Sequence, residues 1–417
     1  MKDDYKKEII PTDWNDENAI IKVIGVGGGG CNAVNYMYNQ KIQGCSFVVC
    51  NTDPQSLSAS PVPVKIQMGD LGAGTDPILG RNAALESQDI IKEKVITNGT
   101  RMLFITAGMG GGTGTGASPV IAKLAKDAGI LTVAVVTLPF KDNGNEALSK
   151  AIDGIRELEK NVDSMLLINN QKLYDIYGRM LLHEALPKAD EVLATAVRGI
   201  IDIIQKRGYM NVDFKDVSNM MRGSGMALMG TGTGKGENRL EEAVKGALES
   251  PLLNDFDLKT AKHVLINITC SRNDNGLLMG DLDTNDKLIS GYTGNANKFK
   301  TGLIYDDNPD ADDTVRITAI ATGFDMGKLS DITDVSLGNL IVIDSNFTYE
   351  KNVEKGVEID LSSTSSYNSN IKIGFNTTEN RCNYHYDEKP VLCVVPGENI
   401  GLLETVPAIR RAHADKK

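Results

Sequence analysis

The stretch "FITAGMGGGTGTGASP", Phe104 to Pro119, decides the fold. Its window Gly108–Gly116 holds six glycines, too loose for a helix interior and too bare for a strand. The apolar "RMLFITAG" (101–108) precedes it, and "ASPVIAKLAKDAG" (117–129), with apolar residues at helical spacing, follows it. A strand that runs through bare backbone into a helix can bring N–H groups and a helix N-terminus up to a phosphate. Tight helix–sheet packing is the alternative use of such glycines.

The pattern occurs twice. "AIIKVIGVG" (19–27) ends in the glycines of "GVGGGGCN" (25–32), and "CNAVNYMYNQ" (31–40) reads as a helix. Further on, "CSFVVCNTD" (45–53) and "ILTVAVVTLPF" (130–140) read as strands, and "ILGRNAALESQDIIKEKV" (78–95) as a helix. Continuous apolar strands alternating with helices predict an α/β domain over 19–184 with a parallel sheet covered on both faces. Ligands of such sheets sit at the carboxyl ends of the strands. "ALPKADEVLATAVRGIIDIIQ" (185–205) aligns Ala189, Leu193, Ala196, Ile200 and Ile203, with Val192, Val197, Ile201 and Ile204 filling much of the rest. That predicts a long helix buried on most sides, a spine between two domains, which with the loop after it fills 185–221. Residues 222–325, with the helix "RLEEAVKGALES" and three strands, predict a smaller α+β domain. Residues 1–18 read as a polar arm, 326–400 as a linker without fixed structure, and 401–417 as a terminal peptide that turns apolar and then basic.

Composition narrows the function. The 417 residues carry a net charge of −11, with 41% hydrophobic and 24% charged residues. That argues against a nucleic-acid binder, which needs a basic surface, and fits a cytoplasmic protein. No apolar run reaches membrane-spanning length, so no membrane insertion is expected. The six cysteines, at 31, 45, 50, 270, 382 and 393, form no CxxC pair and read as reduced structural thiols. No metal-ligating cluster is expected.

Gly25, Gly27 and Gly30 satisfy GxGxxG, and Asp53 stands near the end of the next strand, where a dinucleotide fold keeps its ribose acid. That alone suits a nicotinamide-dependent oxidoreductase. A second glycine loop does not, because such folds need one; two cradles suggest a triphosphate. In the first loop the backbone of Gly27, Gly28, Gly29, Gly30, Cys31 and Asn32 would supply N–H donors. In the second, Gly110, Gly111, Gly112 and Gly114 would do the same, and Thr113 and Thr115 would add hydroxyls. "GTGTGKGE" (230–237) imitates a P-loop without its first Gly, and Gly236 replaces the Ser or Thr that meets Mg²⁺; it reads as a flexible turn. For hydrolysis, Asp213 and Asp216 of "GYMNVDFKDV" (208–217) can converge, with Asn211 orienting a water. Two carboxylates can polarise that water or hold a cation near phosphate. A helix cap at Asp216 is the plain alternative.

"GGGTGTG" in this setting resembles the tubulin-like GTPase signature. "GVGGGGCNAVNYM", "NTDPQSL", "GAGTDPILGRNAA", the glycine stretch and "NVDFKDV" occur in the order of the bacterial cell-division GTPase family FtsZ. The wording of "SPVPVKIQMG" and "LLINNQKL" resembles members of the Bacteroides type. The resemblance spans about residues 19–325. It implies a Rossmann-like GTPase domain, a central helix and a smaller C-terminal domain. It further implies GTP and GDP as ligands with nucleotide-associated Mg²⁺, head-to-tail homopolymers, and a division ring at midcell. It places hydrolysis where Asn211, Asp213 and Asp216 enter the neighbour's site. By the same resemblance, Ala73 and Gly74 of "GAGT", Asn170, and Asp190 on guanine N1 and N2 fall at nucleotide-contact positions.

Three positions depart from the family. Asn143 stands where a ribose-binding Glu is usual, Ala147 where a phosphate-reaching Arg or Lys is usual, and Leu186 where a Phe stacks on guanine. Lys141 or Lys150 could compensate for Ala147. "ETVPAIRR" keeps Pro407, Ile409, Arg410 and Arg411 of the peptide that docks on membrane-tethering division proteins, without its aromatic. The departures motivate a second reading: a divergent paralogue with weak or no GTPase activity that co-assembles with or regulates a conventional copy.

Overall fold

A computed structural model describes residues 19–96, 99–205, 208–210, 212–249, 258–271, 276–293, 298–305, 313–324, 357–360 and 381–384. The chain divides into two units, Met1–Met326 and Gly327–Lys417.

The first unit opens with six strands: β1 (Ile21–Val26), β2 (Ser46–Asn51), β3 (Val64–Gln67), β4 (Met102–Gly108), β5 (Leu131–Leu138) and β6 (Ser164–Asn169). All pair in parallel, in the order β3-β2-β1-β4-β5-β6. β1 and β5 are buried along their whole length, as a sheet covered on both faces demands. The covering helices are α1 (Gly27–Asn39), α2 (Pro54–Ala59), α3 (Pro77–Glu86), α4 (Gln88–Val95), α5 (Thr113–Asp127), α6 (Gly144–Glu159) and α7 (Gln171–Tyr177). The single helix expected over 78–95 is two, broken at Ser87, whose backbone leaves the helical region. Asp53 and Asp76 start α2 and α3, each accepting an N–H two residues on, at 2.9 and 2.8 Å, with Pro at the first helical position.

The spine helix, α8, runs Leu182–Gln205. Leu193, Val197, Ile200, Ile201 and Ile203 are all buried, and one core cluster joins them to Ala33 and Val34 of α1 and to residues of the later strands. After it come β7 (Gly208–Met210), α9 (Phe214–Met221), β8 (Gly225–Lys235), α10 (Arg239–Leu248), β9 (His263–Cys270), α11 (Met279–Thr293), β10 (Lys298–Tyr305) and β11 (Thr314–Phe324). These strands extend the same sheet, giving eleven strands ending β6-β8-β11-β9-β10-β7. β8–β11 and β11–β9 are antiparallel, β9–β10 parallel, so the second domain is mixed, as expected.

β8 corrects the reading of "GTGTGKGE". Residues 230–235 are strand rather than turn, paired with β11 from Met226 to Lys235. A Cβ at Gly232 would lie 2.0 Å from Ala243 O, and at Gly234 2.0 Å from Arg239 O. These glycines let α10 lie directly on the strand. The turn begins at Gly236, at φ +82°, and continues through Glu237.

In the second unit β12 (Val357–Asp360) and β13 (Arg381–Tyr384) pair antiparallel, within the segment read from sequence as lacking structure. The polar arm and the terminal peptide with Pro407, Ile409, Arg410 and Arg411 lie outside the described residues. No helix among the described residues is long and apolar enough to cross a membrane.

Candidate nucleotide site

The strand order reverses between β1 and β4, and ligands of open α/β sheets bind at such a switch point. Both glycine loops lie there, one after β1 and one after β4. α1 starts without a side-chain cap and without an acidic residue in its first turn, and so does α5. Two sets of helix-start N–H groups are therefore left for an anion.

The glycines divide by what surrounds them. A Cβ at Gly30 would meet Thr106 O at 2.1 Å, at Gly114 Gly108 O at 2.5 Å, and at Gly116 Pro77 O at 1.9 Å. At Gly27, held at φ +70°, it would meet Gly114 N at 2.8 Å, so the two loops interlock. Packing thus explains these glycines, the alternative use that the sequence left open. Gly29 stands between the two uses. It is exposed in the first turn of α1, yet a Cβ there would lie 3.3 Å from Gly108 Cα and press on the end of β4. Packing does not explain Gly28 or Gly111, where a side chain would meet nothing within 4 Å. Their bareness leaves the backbone of both loops open to approach.

Neighbouring residues pack beside the two loops. Gly112 abuts Ala73 and Asp76, a Cβ there lying 2.8 Å from Ala73 Cβ and 2.9 Å from Asp76 N, which places the turn with Gly74 (φ +50°) beside the second loop. Thr113 and Thr115 are buried and their hydroxyls brace the site from within. Thr113 Oγ1 lies 2.7 Å from Thr52 Oγ1, and Thr115 Oγ1 accepts the Gly110 N–H at 2.9 Å. Thr52 escaped the sequence reading; the polar end of an apolar strand was its only signal. Cys31 is buried too, its thiol donating to Cys50 O at 3.5 Å and pushed up to about 12 by desolvation. Asn32 is exposed, and both residues lie past the first turn of α1, beyond its unpaired N–H groups. The Asp53 carboxylate serves as the cap of α2.

Asn143 is exposed at the end of a short 3-10 turn, Lys141–Asn143. Ala147 is the near neighbour of the second loop: its carbonyl would lie 2.8 Å from a Cβ at Gly110. Lys150, one turn on, is paired with Glu146 at 2.6 Å. Asn170 starts α7, and its buried Oδ1 has no hydrogen-bond partner. Asp190 of α8 is half-buried with no hydrogen bond or ion pair among the described residues, and desolvation pushes its carboxyl up to about 6. An orphaned acceptor and an unpaired carboxylate are both costly unless a ligand brings donors. Leu186 lies in α8, its side chain outside the described residues.

The two acids stand elsewhere. Asp213 caps α9, accepting the Asp216 N–H at 2.7 Å, while Asp216 accepts the Asp213 N–H at 3.2 Å. The cap is thus Asp213, with Asp216 completing a capping box. Asp216 also pairs with Lys300, the third residue of β10, and that hydrogen bond foremost holds its carboxyl below the usual range. β10 runs parallel to β9 and hence to β1, so Lys300 marks the strand-start end of the sheet. Gly223, just past α9, donates to Asp163 at the start of β6, at 3.3 Å. α8 joins the two ends: Asp190 lies in its first half, and Gln205, its last residue, donates to Gly44 O ahead of β2. Its 24 residues span about 36 Å at 1.5 Å per residue. The acids and the glycine loops are at opposite ends of one sheet. Asn211 lies outside the described residues.

A doubly wound sheet with two uncapped glycine loops at its switch point, joined by a central helix to a mixed-sheet domain, is the architecture of a tubulin-like GTPase. Residues 20–178 match the GTPase domain of the Tubulin/FtsZ family and residues 225–325 the C-terminal domain of the FtsZ family. The chain belongs to the FtsZ family. It is 42% identical over 372 residues to the cell division protein FtsZ of Buchnera aphidicola subsp. Schizaphis graminum, covering 87% of this chain and 93% of that one. It is 41% identical over 347 residues to that of Porphyromonas gingivalis, covering 80% and 74%. The solved empty FtsZ dimer of M. jannaschii superposes with a TM-score of 0.66 at 39% identity, over 73% of this chain and 88% of that one. The family and fold expected from the glycine stretch are borne out.

Proposed function

We propose that the chain binds GTP at the two glycine loops, stacks head to tail, and hydrolyses GTP where one subunit's Asp213 and Asp216 meet the next subunit's phosphates. The separation of cradle and acids along α8 carries this reading. Within one chain they cannot cooperate; in a translational stack each end faces its complement, and such a contact does not close on itself. The cradle end also leaves Leu71 and Ile78 98% and 67% exposed, as a surface made to be covered would.

In this reading, the free N–H groups at the starts of α1 and α5, Gly27–Gly29 and Gly111–Thr115, hold the phosphates. Asp190 accepts the two guanine donors, Asn170 and Asn143 bond sugar or base, and Leu186 gives apolar contact to the ring. Neither first turn carries an acid, and no cluster of three or more His, Cys, Asp or Glu occurs among the described residues. A Mg²⁺ arriving with GTP would therefore be held by phosphate oxygens and water. Asp213 and Asp216 orient and deprotonate the water that attacks the γ-phosphorus, and GDP leaves as the P–O bond breaks. Because the γ-phosphate touches both subunits, its loss weakens the contact, so filaments turn over. The terminal peptide links filaments to membrane-tethering proteins at the midcell division site.

Sedimentation with GTP and Mg²⁺ tests this. The chain should pellet as filaments, and Asp216→Ala should pellet while releasing at least about 100-fold less phosphate. Equal release by that variant would remove the acid assignment. Ala147, with Lys150 already paired, favours the second reading of a slow, regulatory paralogue; turnover of the chain alone, set beside a conventional relative's, decides between them.

A further inference from the structure

Lys300 belongs to none of the motifs that drew attention to this sequence, yet it makes the one ion pair with either acid among the described residues. Its ammonium bonds the same Asp216 oxygen, Oδ2, that accepts the Asp213 N–H. The strand that carries it grips the segment a second time: Leu303 and Ile304 of β10 pair with Met210 and Gly208 of β7. The acid-bearing turn is thus fastened to one strand of the second domain on both sides, by backbone pairing before Asp213 and by Lys300 after it.

The two fastenings do different things. The capping box fixes where the first turn of α9 begins, and its bonds run to backbone groups. Lys300 is the outside partner that fixes the carboxylate itself, and the pairing favours its ionised form. An ionised, oriented carboxylate is what a water-activating group requires.

We propose that Lys300 is a positioning residue for hydrolysis, holding the Asp216 carboxylate in the orientation from which it meets the attacking water in the neighbouring subunit's site. This rests on the intersubunit reading above. Lys300 does not itself touch the nucleotide; it acts through Asp216.

The test compares Lys300→Met, Lys300→Arg and Asp216→Ala in the full chain with GTP and Mg²⁺, reading phosphate release per sedimented subunit and KM for GTP. Lys300→Met should pellet, keep KM within about twofold, and lose roughly tenfold or more in kcat, while Lys300→Arg restores kcat to within about threefold. A purely structural lysine would change melting temperature or polymer yield and leave kcat per polymerised subunit alone. Should Lys300→Met not pellet by itself, doping it into unmodified chain carries the test, with turnover falling as its share rises. Lys300→Met filaments that turn over at the unmodified rate overturn the proposal. If Asp216→Ala filaments also turn over normally, the intersubunit reading falls with it.

Discussion

At the scale of residues, Asp190 makes the sharpest demand on a ligand. Burial pushes its carboxyl up to about 6, with no donor to it among the described residues to offset the cost. In the proposed site, guanine N1 and N2 can both donate to this carboxyl only in its ionised form. Below pH 6 the free protein holds the proton, and binding must expel it, so GTP affinity falls with pH. Calorimetry should show binding about tenfold weaker at pH 5 than at pH 7. Asp190→Asn presents an amide donor where two acceptors were needed, and should favour xanthosine triphosphate, whose C2 carries a carbonyl, over GTP. Ala147 is the second such residue. Its carbonyl borders Gly110, so Ala147→Arg restores a cation beside the phosphates. A charge-assisted hydrogen bond contributes roughly 1.5–3 kcal/mol, and nucleotide affinity measured by titration should rise by about ten- to a hundredfold. Asp190 and Asn170 were legible through resemblance alone. Nothing in a string of letters tells that a carboxylate will be desolvated or an amide oxygen orphaned, since both depend on what packs around them.

At the scale of elements, the glycine loops were legible as loops, but not the division of labour within them. Gly28, Gly29 and Gly30 look alike in "GGGG". The structure gives the first open space, the second a backbone carbon at 3.3 Å and the third a carbonyl at 2.1 Å. Gly30→Ala should therefore cost about 1–3 kcal/mol of stability through overpacking, seen as a lower melting temperature. Gly28→Ala should melt as the unmodified chain does and lose nucleotide affinity instead. β8 shows the reverse error. "GTGTGKG" has turn composition, and its glycines are there because α10 lies against the strand; a tertiary contact outweighed local propensity. The break at Ser87 was missed for a related reason, because apolar periodicity continues across it into α4.

At the scale of the whole molecule, strand order and the central helix set the two chemical halves apart. The sequence makes the alternation of strands and helices plain, and with it the sheet and the end at which the glycine loops lie. It does not show that β10 runs parallel to β1 and so carries Lys300, with Asp216, to the opposite end. On the proposed function, that arrangement makes hydrolysis a property of the filament rather than of the chain. The most direct test is the rate of GTP hydrolysis as a function of protein concentration, with Mg²⁺ and saturating GTP. The account predicts almost no turnover below a threshold concentration and a linear rise above it, at the concentration where filaments first sediment. A rate proportional to concentration down to the lowest dilution would mean that a single chain completes its own site, and would contradict it.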